Sequence, residues 1–351
     1  MIQIRIGNKI VSDKNELFTI AEIGINHNGS IKIAKKLIDK AKQAGFSAVK
    51  FQTYITNDLV SPNTGLVNYQ KKNRYKDMRT LLQKYNFSFE IFAKLKKYCD
   101  SKKIIFLSTP FDIKSAKFLN SLNIPAFKVS SGDFDNRLLI DQLKKFKKPI
   151  ILSTGMTDIL DTKKILKIYK FKKNQLILLH CVSDYPTKIE NSYLNNITRL
   201  KELGYIVGYS DHTRNNICAS SSVFLGASLV EKHITLSNSM EGPDHKASLS
   251  IDKLSIFIKN LNLIRKSYLK KKRLLTHAEK QTKNKARKSL FYNKNLSKQS
   301  ILRSDDIIAL RSNTLGISPL YYKKILQNRL KKNVKKNARI KFIDLLNVKK
   351  N

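Results

Sequence analysis

Reactive side chains recur at the ends of short apolar runs along the first two thirds of the chain. An isolated serine or threonine at such a place is more often a helix cap or a turn former. Eight groups in succession are harder to explain in that way, and together they predict one shared site. They are Glu22 with Asn26 and His27, Lys50 with Gln52, Ser108 with Thr109, Lys128 with Ser130 and Ser131, Ser153 with Thr154, His180 with Ser183, Ser210 with Asp211 and His212, and Glu231 with His233.

Three lysines, Lys50, Lys128 and Lys232, stand within or beside otherwise apolar runs. An unpaired ammonium group would be costly there, and a paired one tends to be functional. Alternate residues of a strand share a face, so Lys50 and Gln52 can both point inward, as can Glu231 and His233. The predicted pocket is concave, basic and rich in hydroxyls, which suits a phosphate and a carboxylate together.

Two histidines, His212 and His233, end successive runs, which predicts two imidazoles side by side. Such a pair is a candidate metal site, whereas His27, His180 and His245 could be ordinary hydrogen-bonded residues. Because the neighbours are rich in oxygen and few protein ligands are present, we predict an open coordination sphere. Mn²⁺ or Mg²⁺ suits it better than a closed zinc site.

The elements that must position these groups alternate between strands and helices. In the first unit Ser30 can cap a helix whose apolar residues share one face, and Gly45 can end it. Eight such units predict a TIM (β/α)8 barrel, and no glycine-rich fingerprint supports the alternative of a doubly wound open sheet. The predicted strands are Phe18 to Ile23, Ala48 to Phe51, Ile104 to Leu107, Ala126 to Val129, Pro149 to Leu152, Leu176 to Leu179, Tyr205 to Val207 and Ser228 to Glu231.

The remaining sequence predicts a second, smaller domain. A helix from Asp252 to about Lys270 leads into a very basic polar stretch that is typical of a linker. We therefore predict a barrel domain at 1–269, a linker at 270–285 and a small α/β appendage at 286–351. That last domain is too short for another barrel.

Composition limits the classes of function. The 351 residues carry 68 Lys and Arg against 26 Asp and Glu, a formal net charge of +42, but the lysines are spread along the whole chain. No zinc-finger, basic-zipper or RNA-binding signature is present, so nucleic acid is not predicted as a partner. A field of this sign would still attract an anionic substrate.

Cysteine usage and hydropathy predict where the protein works. Cys99, Cys181 and Cys218 are widely separated and odd in number, which favours a reducing compartment over a disulfide framework. Neither a signal peptide nor an apolar stretch long enough for a bilayer is present. We therefore expect a cytoplasmic protein without a membrane partner.

Several segments, in their order and spacing, resemble the sialic acid (nonulosonate) synthases, the family that includes N-acetylneuraminate, N,N'-diacetyllegionaminate and pseudaminate synthases. The C-terminal ARKSL at Ala286 and LRSNTLGISP at Leu310 look like the small antifreeze-like (SAF) domain of that family. The segments of the barrel that carry the resemblance are AEIGINHNGS at Ala21, VKFQTY at Val49, LSTPFD at Leu107, FKVSSGD at Phe127, ILSTGM at Ile151, LLHCVSDYPT at Leu178, VGYSDHT at Val207, VEKHIT at Val230 and GPDHKASL at Gly242.

The resemblance implies a division of labour among the site residues. His212 and His233 would bind a divalent metal, with Mn²⁺ expected first and Mg²⁺ or Co²⁺ as alternatives, and Glu22 would orient or deprotonate a water. Arg311 would reach the acceptor sugar from a partner subunit, which implies a domain-swapped homodimer. Phosphoenolpyruvate would be held by Lys50, Thr109, Lys128, Ser131, Ser153, Ser183, Ser210 and His212. The acceptor would also meet Gln52, Asp133, Tyr185 and Asp244.

The implied reaction joins phosphoenolpyruvate to N-acetylmannosamine or a related acetamido sugar and releases phosphate. The alternative acceptor is 2,4-diacetamido-2,4,6-trideoxymannose, and a pseudaminate synthase fits the wording of the motifs less well. Asp133 replaces the usual glutamate and Ser312 the usual proline, so the acceptor is less defined than the reaction. Two other readings remain: a basic nucleic-acid-associated protein, and a noncatalytic sugar-binding relative, which the intact Glu22, His212 and His233 oppose.

Overall fold

The computed structural model of the protein describes residues 2–66, 75–269 and 272–346. The chain divides into two compact units, Met1–Lys271 and Lys272–Asn351. Among the described residues, no helix is long and apolar enough to cross a membrane.

The first unit is built around parallel strands. Its strands are β1 (Ile4–Ile6), β2 (Lys9–Val11), β3 (Phe18–Gly24), β4 (Ala48–Thr53), β5 (Ile105–Pro110), β6 (Phe127–Val129), β7 (Ile150–Ser153), β8 (Leu176–His180), β9 (Ile206–Asp211), β10 (Leu229–Thr235) and β11 (Leu249–Ser250). Its helices are α1 (Ile31–Ala44), α2 (Thr56–Leu59), α3 (Met78–Tyr85), α4 (Phe89–Ser101), α5 (Ile113–Ser121), α6 (Arg137–Lys145), α7 (Ile159–Tyr169), α8 (Asn196–Glu202), α9 (Ile217–Phe224) and α10 (Leu254–Leu269).

Strands β3 to β10 form a nearly closed barrel. The hydrogen-bonded order is β5-β4-β3-β10-β9-β8-β7-β6, the pairs along it are parallel, and β11 adds to β10 outside that path. Within the described residues, no ladder joins β5 to β6, so the ring is open only there. The structure confirms the predicted TIM barrel and each of the eight predicted strands.

The first βα unit shows how local sequence sets the fold. Ser30 accepts the Ile33 N–H at the start of α1, and Gly45 ends the helix with a φ of +91° that favours glycine. The buried face of α1 carries Ala34, Leu37, Ile38 and Ala41. The predicted cap, stop and apolar face are therefore confirmed.

The barrel interior is layered along the strands. Toward the amino ends the inward residues are apolar, and the β1–β2 hairpin packs Ile4, Ile6 and Val11 against them. On β3 the inward residue after Ile20 is Glu22, and on β4 the inward residue after Ala48 is Lys50, each two positions further along its strand. A polar layer therefore rests on an apolar floor. Its inward residues are Glu22, Lys50, Thr109, Lys128, Ser153, Cys181, Ser210 and Glu231.

The second unit is small and mostly irregular. Its helices are α11 (His277–Ala286) and α12 (Tyr322–Ile325), and β12 (Lys288–Tyr292) pairs antiparallel with β13 (Ile307–Arg311). Leu290, Tyr292, Leu302, Ile325 and Leu330 contribute to its apolar core. Helix α11 occupies much of the segment predicted as a linker, and a capping box of Thr276 and Glu279 begins it.

Candidate active site

One cavity of about 980 Å³ lies where the barrel strands end. It collects most of the residues that the sequence predicted for the site, contributed by all eight strands and the loops after them. Asp133 and Asp244 are not in its wall, and Arg311 belongs to the second unit. The predicted residues that line it are Glu22, Lys50, Gln52, Thr109, Lys128, Ser130, Ser131, Ser153, Ser183, Tyr185, Ser210, His212, Glu231 and His233.

Two carboxylates and two ammonium groups share the floor of the cavity. Lys50 Nζ lies 2.8 Å from Glu22 Oε2 and 3.7 Å from Glu231 Oε2. Lys128 Nζ lies 4.0 Å from Glu231 Oε1 and donates to Ser153 Oγ at 2.6 Å. All four charged side chains are buried, so each ammonium depends on these partners for its counter-charge.

The two carboxylates differ in their proton affinity. Burial raises the pKa of Glu22 to about 7. Burial also opposes ionisation of Glu231, but the charges of Lys50 and Lys128 outweigh it and hold the pKa of that carboxyl at about 2. Glu22 is therefore the group that can take up or release a proton near neutral pH, while Glu231 remains an anion.

Hydroxyls surround the lysines. Lys50 donates to Thr109 Oγ1 at 3.1 Å, and Ser210 donates to Glu231 Oε1 at 2.9 Å. A side chain on Gly155 would lie 2.5 Å from Ser183 Oγ and 2.6 Å from Ser131 Oγ, so only glycine leaves this corner open. The Gly155 N–H donates to Ser131 Oγ at 3.0 Å. Lysines, hydroxyls and a backbone amide converge here as they do around bound phosphates.

The two predicted metal-binding histidines are neighbours. Their rings are 5.7 Å apart between centroids, and the Tyr185 ring lies 4.1 Å from that of His212 and 5.8 Å from that of His233. Burial lowers the pKa of His212 to about 4. The pKa of His233 lies well below its ordinary value, mainly because of burial and secondly because of the neighbouring His212. Both imidazoles are therefore neutral at physiological pH.

The chemistry of the pair fits a divalent cation. His212 Nδ1 donates to the Val182 carbonyl at 2.6 Å, which leaves the lone pair on Nε2. Ser210 lies 3.4 Å from that Nε2, but its proton is directed at Glu231. His233 Nδ1 is buried without a hydrogen bond in the described structure and lies 3.9 Å from Asp244 Oδ2. Within the described ranges, no three or more His, Cys, Asp or Glu residues are arranged so that together they could hold a metal ion, so water or substrate oxygens would complete the coordination.

Of the predicted acceptor contacts, Asp133 and Asp244 lie outside the cavity wall, and Arg311 is in the second unit. Asp133 accepts from Ser130 Oγ at 2.7 Å and from Asn136 Nδ2 at 3.0 Å, so it supports Ser130 rather than facing the cavity itself. Asp244 is buried beside His233, and burial raises its pKa to about 6. Arg311 is an exposed residue at the end of β13 in the second unit. Their roles toward an acceptor remain predictions.

The three other histidines of the first unit have structural partners. His27 stacks on Phe87 with ring centroids 3.9 Å apart, and His180 Nε2 contacts the Ser192 carbonyl at 2.7 Å. His245 is held between Thr235 and Asn28. These contacts agree with the ordinary roles that the sequence left open for them.

The sequence reading missed two features of the site. Glu231 was recognised as an inward residue, but not as the carboxylate between Lys50 and Lys128; its place two residues before His233 was the available signal. The second feature is an apolar wall, which the long connection after β4 contributes together with the loop after β5. It consists of Tyr54, Leu59, Val60, Met78, Leu82 and Phe111.

Comparison with known proteins identifies the family of the chain. A family model described as the NeuB family matches residues 37–273. The N,N'-diacetyllegionaminic acid synthase of Campylobacter jejuni is 34% identical over 328 residues, 92% of this chain and 98% of the relative. The pseudaminic acid synthase of the same species is 32% identical over 338 residues, 95% and 97% of the two chains.

A solved structure gives the same result. The N-acetylneuraminic acid (sialic acid) synthetase of Leptospira borgpetersenii serovar Hardjo-bovis, in complex with citrate, aligns with a TM-score of 0.70 at 30% identity. The alignment covers 79% of this chain and 94% of that one. Fold, cavity and comparisons define a sugar-acid synthase of the TIM-barrel class. The chain belongs to the NeuB family, and it is an enzyme that condenses phosphoenolpyruvate with a sugar.

Proposed function

We propose that the enzyme joins phosphoenolpyruvate to an N-acetylated amino sugar, forming a sialic-acid-type sugar acid and releasing phosphate. The observation that carries this proposal is the cavity itself, in which two buried lysines and several hydroxyls stand beside a pair of neutral imidazoles. The phosphate and carboxylate of phosphoenolpyruvate would be complementary to the lysines and hydroxyls, and the sugar would lie beside the imidazoles. N-acetylmannosamine is the acceptor that the sequence favours.

The anionic substrate would occupy the lysine and hydroxyl end. Lys50 and Lys128 supply positive charge, and burial in the cavity strengthens their interaction with an anion. The remaining groups are hydroxyls, which would fix the orientation of the phosphate and carboxylate. They are Thr109, Ser131, Ser153, Ser183 and Ser210. His212 lies beside them, but its Nδ1 proton is donated to Val182, so it would contact the anion only through a cation on Nε2.

The reaction then balances with the groups present. Carbon 3 of phosphoenolpyruvate forms a bond to the aldehyde carbon of the open-chain sugar, the aldehyde oxygen becomes an alkoxide, and carbon 2 is left electron-deficient. Water adds at carbon 2 and gives a proton to Glu22, and that proton then converts the alkoxide into a hydroxyl. The phosphate leaves with the electrons of the broken carbon–oxygen bond and takes up the proton of the new hydroxyl at carbon 2, which becomes the ketone. A divalent cation held by His212 and His233, Mn²⁺ first and Mg²⁺ or Co²⁺ otherwise, would supply Lewis-acid polarisation of the aldehyde.

The acceptor end supports a second candidate. Gln52 and Tyr185 line this part of the cavity, and the apolar wall of Tyr54, Leu59 and Met78 continues from it. N-acetylmannosamine would place hydroxyls against that wall, whereas 2,4-diacetamido-2,4,6-trideoxymannose would place a methyl group and a second acetamido group there. The wall therefore favours the trideoxy sugar, because apolar contact stabilises its methyl group.

The assembly is proposed from the family resemblance. The second unit would be an SAF domain, and Arg311 would reach a partner's barrel in a domain-swapped homodimer. Arg311 is exposed at the end of a strand, so its guanidinium is available for such a contact. A cytoplasmic location likewise remains a proposal, supported by the three free cysteines.

A panel of acceptors tests the proposed function. The enzyme is incubated with phosphoenolpyruvate, Mn²⁺ and either sugar, and the products are identified by mass spectrometry, with Glu22→Gln as the inactive control. We expect a sugar acid from at least one acetamido sugar and a higher kcat/KM for the trideoxy sugar. Absence of a sugar-acid product with every acetamido sugar would refute the proposal, and preference for N-acetylmannosamine would refute the argument from the wall.

A further inference from the structure

Lys232 is the apolar-run lysine that the cavity does not use. It alternates along β10 with Glu231 and His233, which line the cavity, so its side chain leaves the opposite face of the strand. There it forms an ion pair with Asp211, Nζ to Oδ2 at 2.7 Å, and both side chains are 0% exposed. A fully buried ion pair directly behind the site requires an explanation.

The pair joins the two strands that carry the imidazoles. Asp211 stands between Ser210 and His212 on β9, as Lys232 stands between Glu231 and His233 on β10. Lys232 and Asp211 are also directly paired in the register of these strands. Each histidine therefore follows one member of the pair by a single residue, and the ion pair fixes the two strand ends relative to each other.

The same two residues hold the loop that follows His212. Asp211 Oδ1 accepts the Thr213 N–H at 2.9 Å and the Thr213 hydroxyl at 2.8 Å. Lys232 donates to the carbonyls of Thr213 and Asn215. The backbone of His212 is thus fixed on its carboxyl side by this network, while its ring is fixed by the Val182 carbonyl.

We propose that Asp211 and Lys232 are positioning residues that set the separation of the His212 and His233 imidazoles for a shared divalent cation. The inference rests on the proposed function in one respect, namely that the histidine pair binds the cation. General stability alone does not account for the pair, because a buried ion pair often adds little net stability compared with apolar residues of similar size. Its placement directly behind both histidines does account for it.

The chain offers a matched control for a buried cation. Arg265 is 2% exposed and donates to the carbonyls of Ser12 at 2.8 Å and Asn15 at 3.0 Å. These carbonyls precede β3, and Arg265 Nη1 also donates to the Ala227 carbonyl, which precedes β10, at 3.4 Å. All three carbonyls lie at the amino end of the barrel, away from the cavity. Arg265→Met therefore removes a buried cation with carbonyl partners, as Lys232→Met does, but makes no change at the strand ends that carry the histidines.

The test measures Mn²⁺ binding to the full-length chain without substrates, from the electron paramagnetic resonance signal of free Mn²⁺. Asp211→Asn breaks the ion pair yet keeps an oxygen for Thr213, so it should fold even if Lys232→Met does not. We expect both variants to bind Mn²⁺ about tenfold or more weakly, the range found when groups that orient metal ligands are removed. Phosphoenolpyruvate affinity, which rests on Lys50 and Lys128, should change less than threefold, a difference below about 0.7 kcal/mol.

The outcomes separate this inference from the proposed function. If His212→Ala loses Mn²⁺ but folded Asp211→Asn and Lys232→Met bind it like the parent, the positioning role is wrong and the metal site stands. If His212→Ala also binds like the parent, the metal assignment itself fails. An equal loss of Mn²⁺ affinity in Arg265→Met would show that general destabilisation explains the effect, and that would overturn the inference.

Discussion

Replacing Lys128 with methionine removes one ammonium group from the floor of the cavity and preserves most of the side-chain volume. In the structure Lys128 is 3% exposed, donates to Ser153 at 2.6 Å and lies 4.0 Å from Glu231. Its charge is thus aimed at the region where the anionic substrate is proposed to bind. Methionine keeps the packing but offers an anion neither a charge nor a donor.

The expected loss follows from the type of contact. A hydrogen bond to a charged group contributes about 1.5–3 kcal/mol, which corresponds to about a 10- to 150-fold change in affinity. Of its two lysine partners, the Glu231 carboxylate would also keep only Lys50, and its negative charge, now less fully compensated, would repel the anion more strongly. We therefore expect the KM for phosphoenolpyruvate to rise by about this factor, while the KM for the sugar changes little.

The assay is steady-state kinetics with each substrate varied in turn, supported by calorimetric binding of phosphoenolpyruvate. Lys163→Met, on the exposed face of α7, is the matched control, because it removes the same charge far from the site. If Lys163→Met raised the KM for phosphoenolpyruvate equally, the overall positive field would be responsible. A rise confined to the KM of the sugar would place Lys128 at the wrong end of the cavity.

Four further predictions concern the remaining groups. His212→Ala and His233→Ala should each abolish turnover and weaken Mn²⁺ binding with an unchanged circular dichroism spectrum; retained turnover and binding would refute the metal assignment. Burial raises the pKa of Glu22 to about 7, and the ionised carboxylate is the form that accepts the proton. Below pH 7, kcat/KM should therefore fall about tenfold per pH unit. A flat profile from pH 5 to 8 would exclude Glu22 as the base. Gly155→Ala should raise the KM for phosphoenolpyruvate at least tenfold, because the new methyl group would displace the hydroxyls of Ser131 and Ser183. A tenfold rise corresponds to a loss of about 1.4 kcal/mol in binding free energy. Unchanged kinetics would mean that no substrate group occupies the space beside Gly155 during catalysis. Mixed subunits carrying Arg311→Ala and Glu22→Ala should regain activity that neither variant has alone, and inactivity of a demonstrably exchanged dimer would refute the swapped arrangement.

The barrel could be predicted because its signals are local and repeated. Each strand is a short apolar run followed by a polar end, and caps such as Ser30 and Gly45 mark the helices between them. The polar layer could be predicted for the same reason, since residues two apart on a strand share a face. The placement of a side chain in the cavity wall could therefore be predicted where it follows from the alternation of its own strand.

Features that depend on tertiary packing were harder to predict. Lys232 resembles Lys50 and Lys128 in its apolar surroundings, and only its alternation with Glu231 and His233 shows that it faces away from the cavity. Asp133 accepts a hydrogen bond from Ser130, and the sequence alone does not assign this partner. The apolar wall depends on tertiary contacts between residues that follow β4 and β5, which no short-range pattern determines. By contrast, the capping box at Thr276 and Glu279 was a readable signal of α11 that the linker prediction overlooked.

The most direct test of the account follows the carbon atoms of phosphoenolpyruvate. The enzyme is given uniformly ¹³C-labelled phosphoenolpyruvate, Mn²⁺ and the preferred acetamido sugar, and released phosphate is measured alongside the mass of the product. We predict a sugar acid that retains all the labelled carbons, formed with one phosphate for each molecule, and no phosphate release when the sugar is omitted. Phosphate release without sugar, or a product that lacks the labelled carbons, would contradict the proposed condensation.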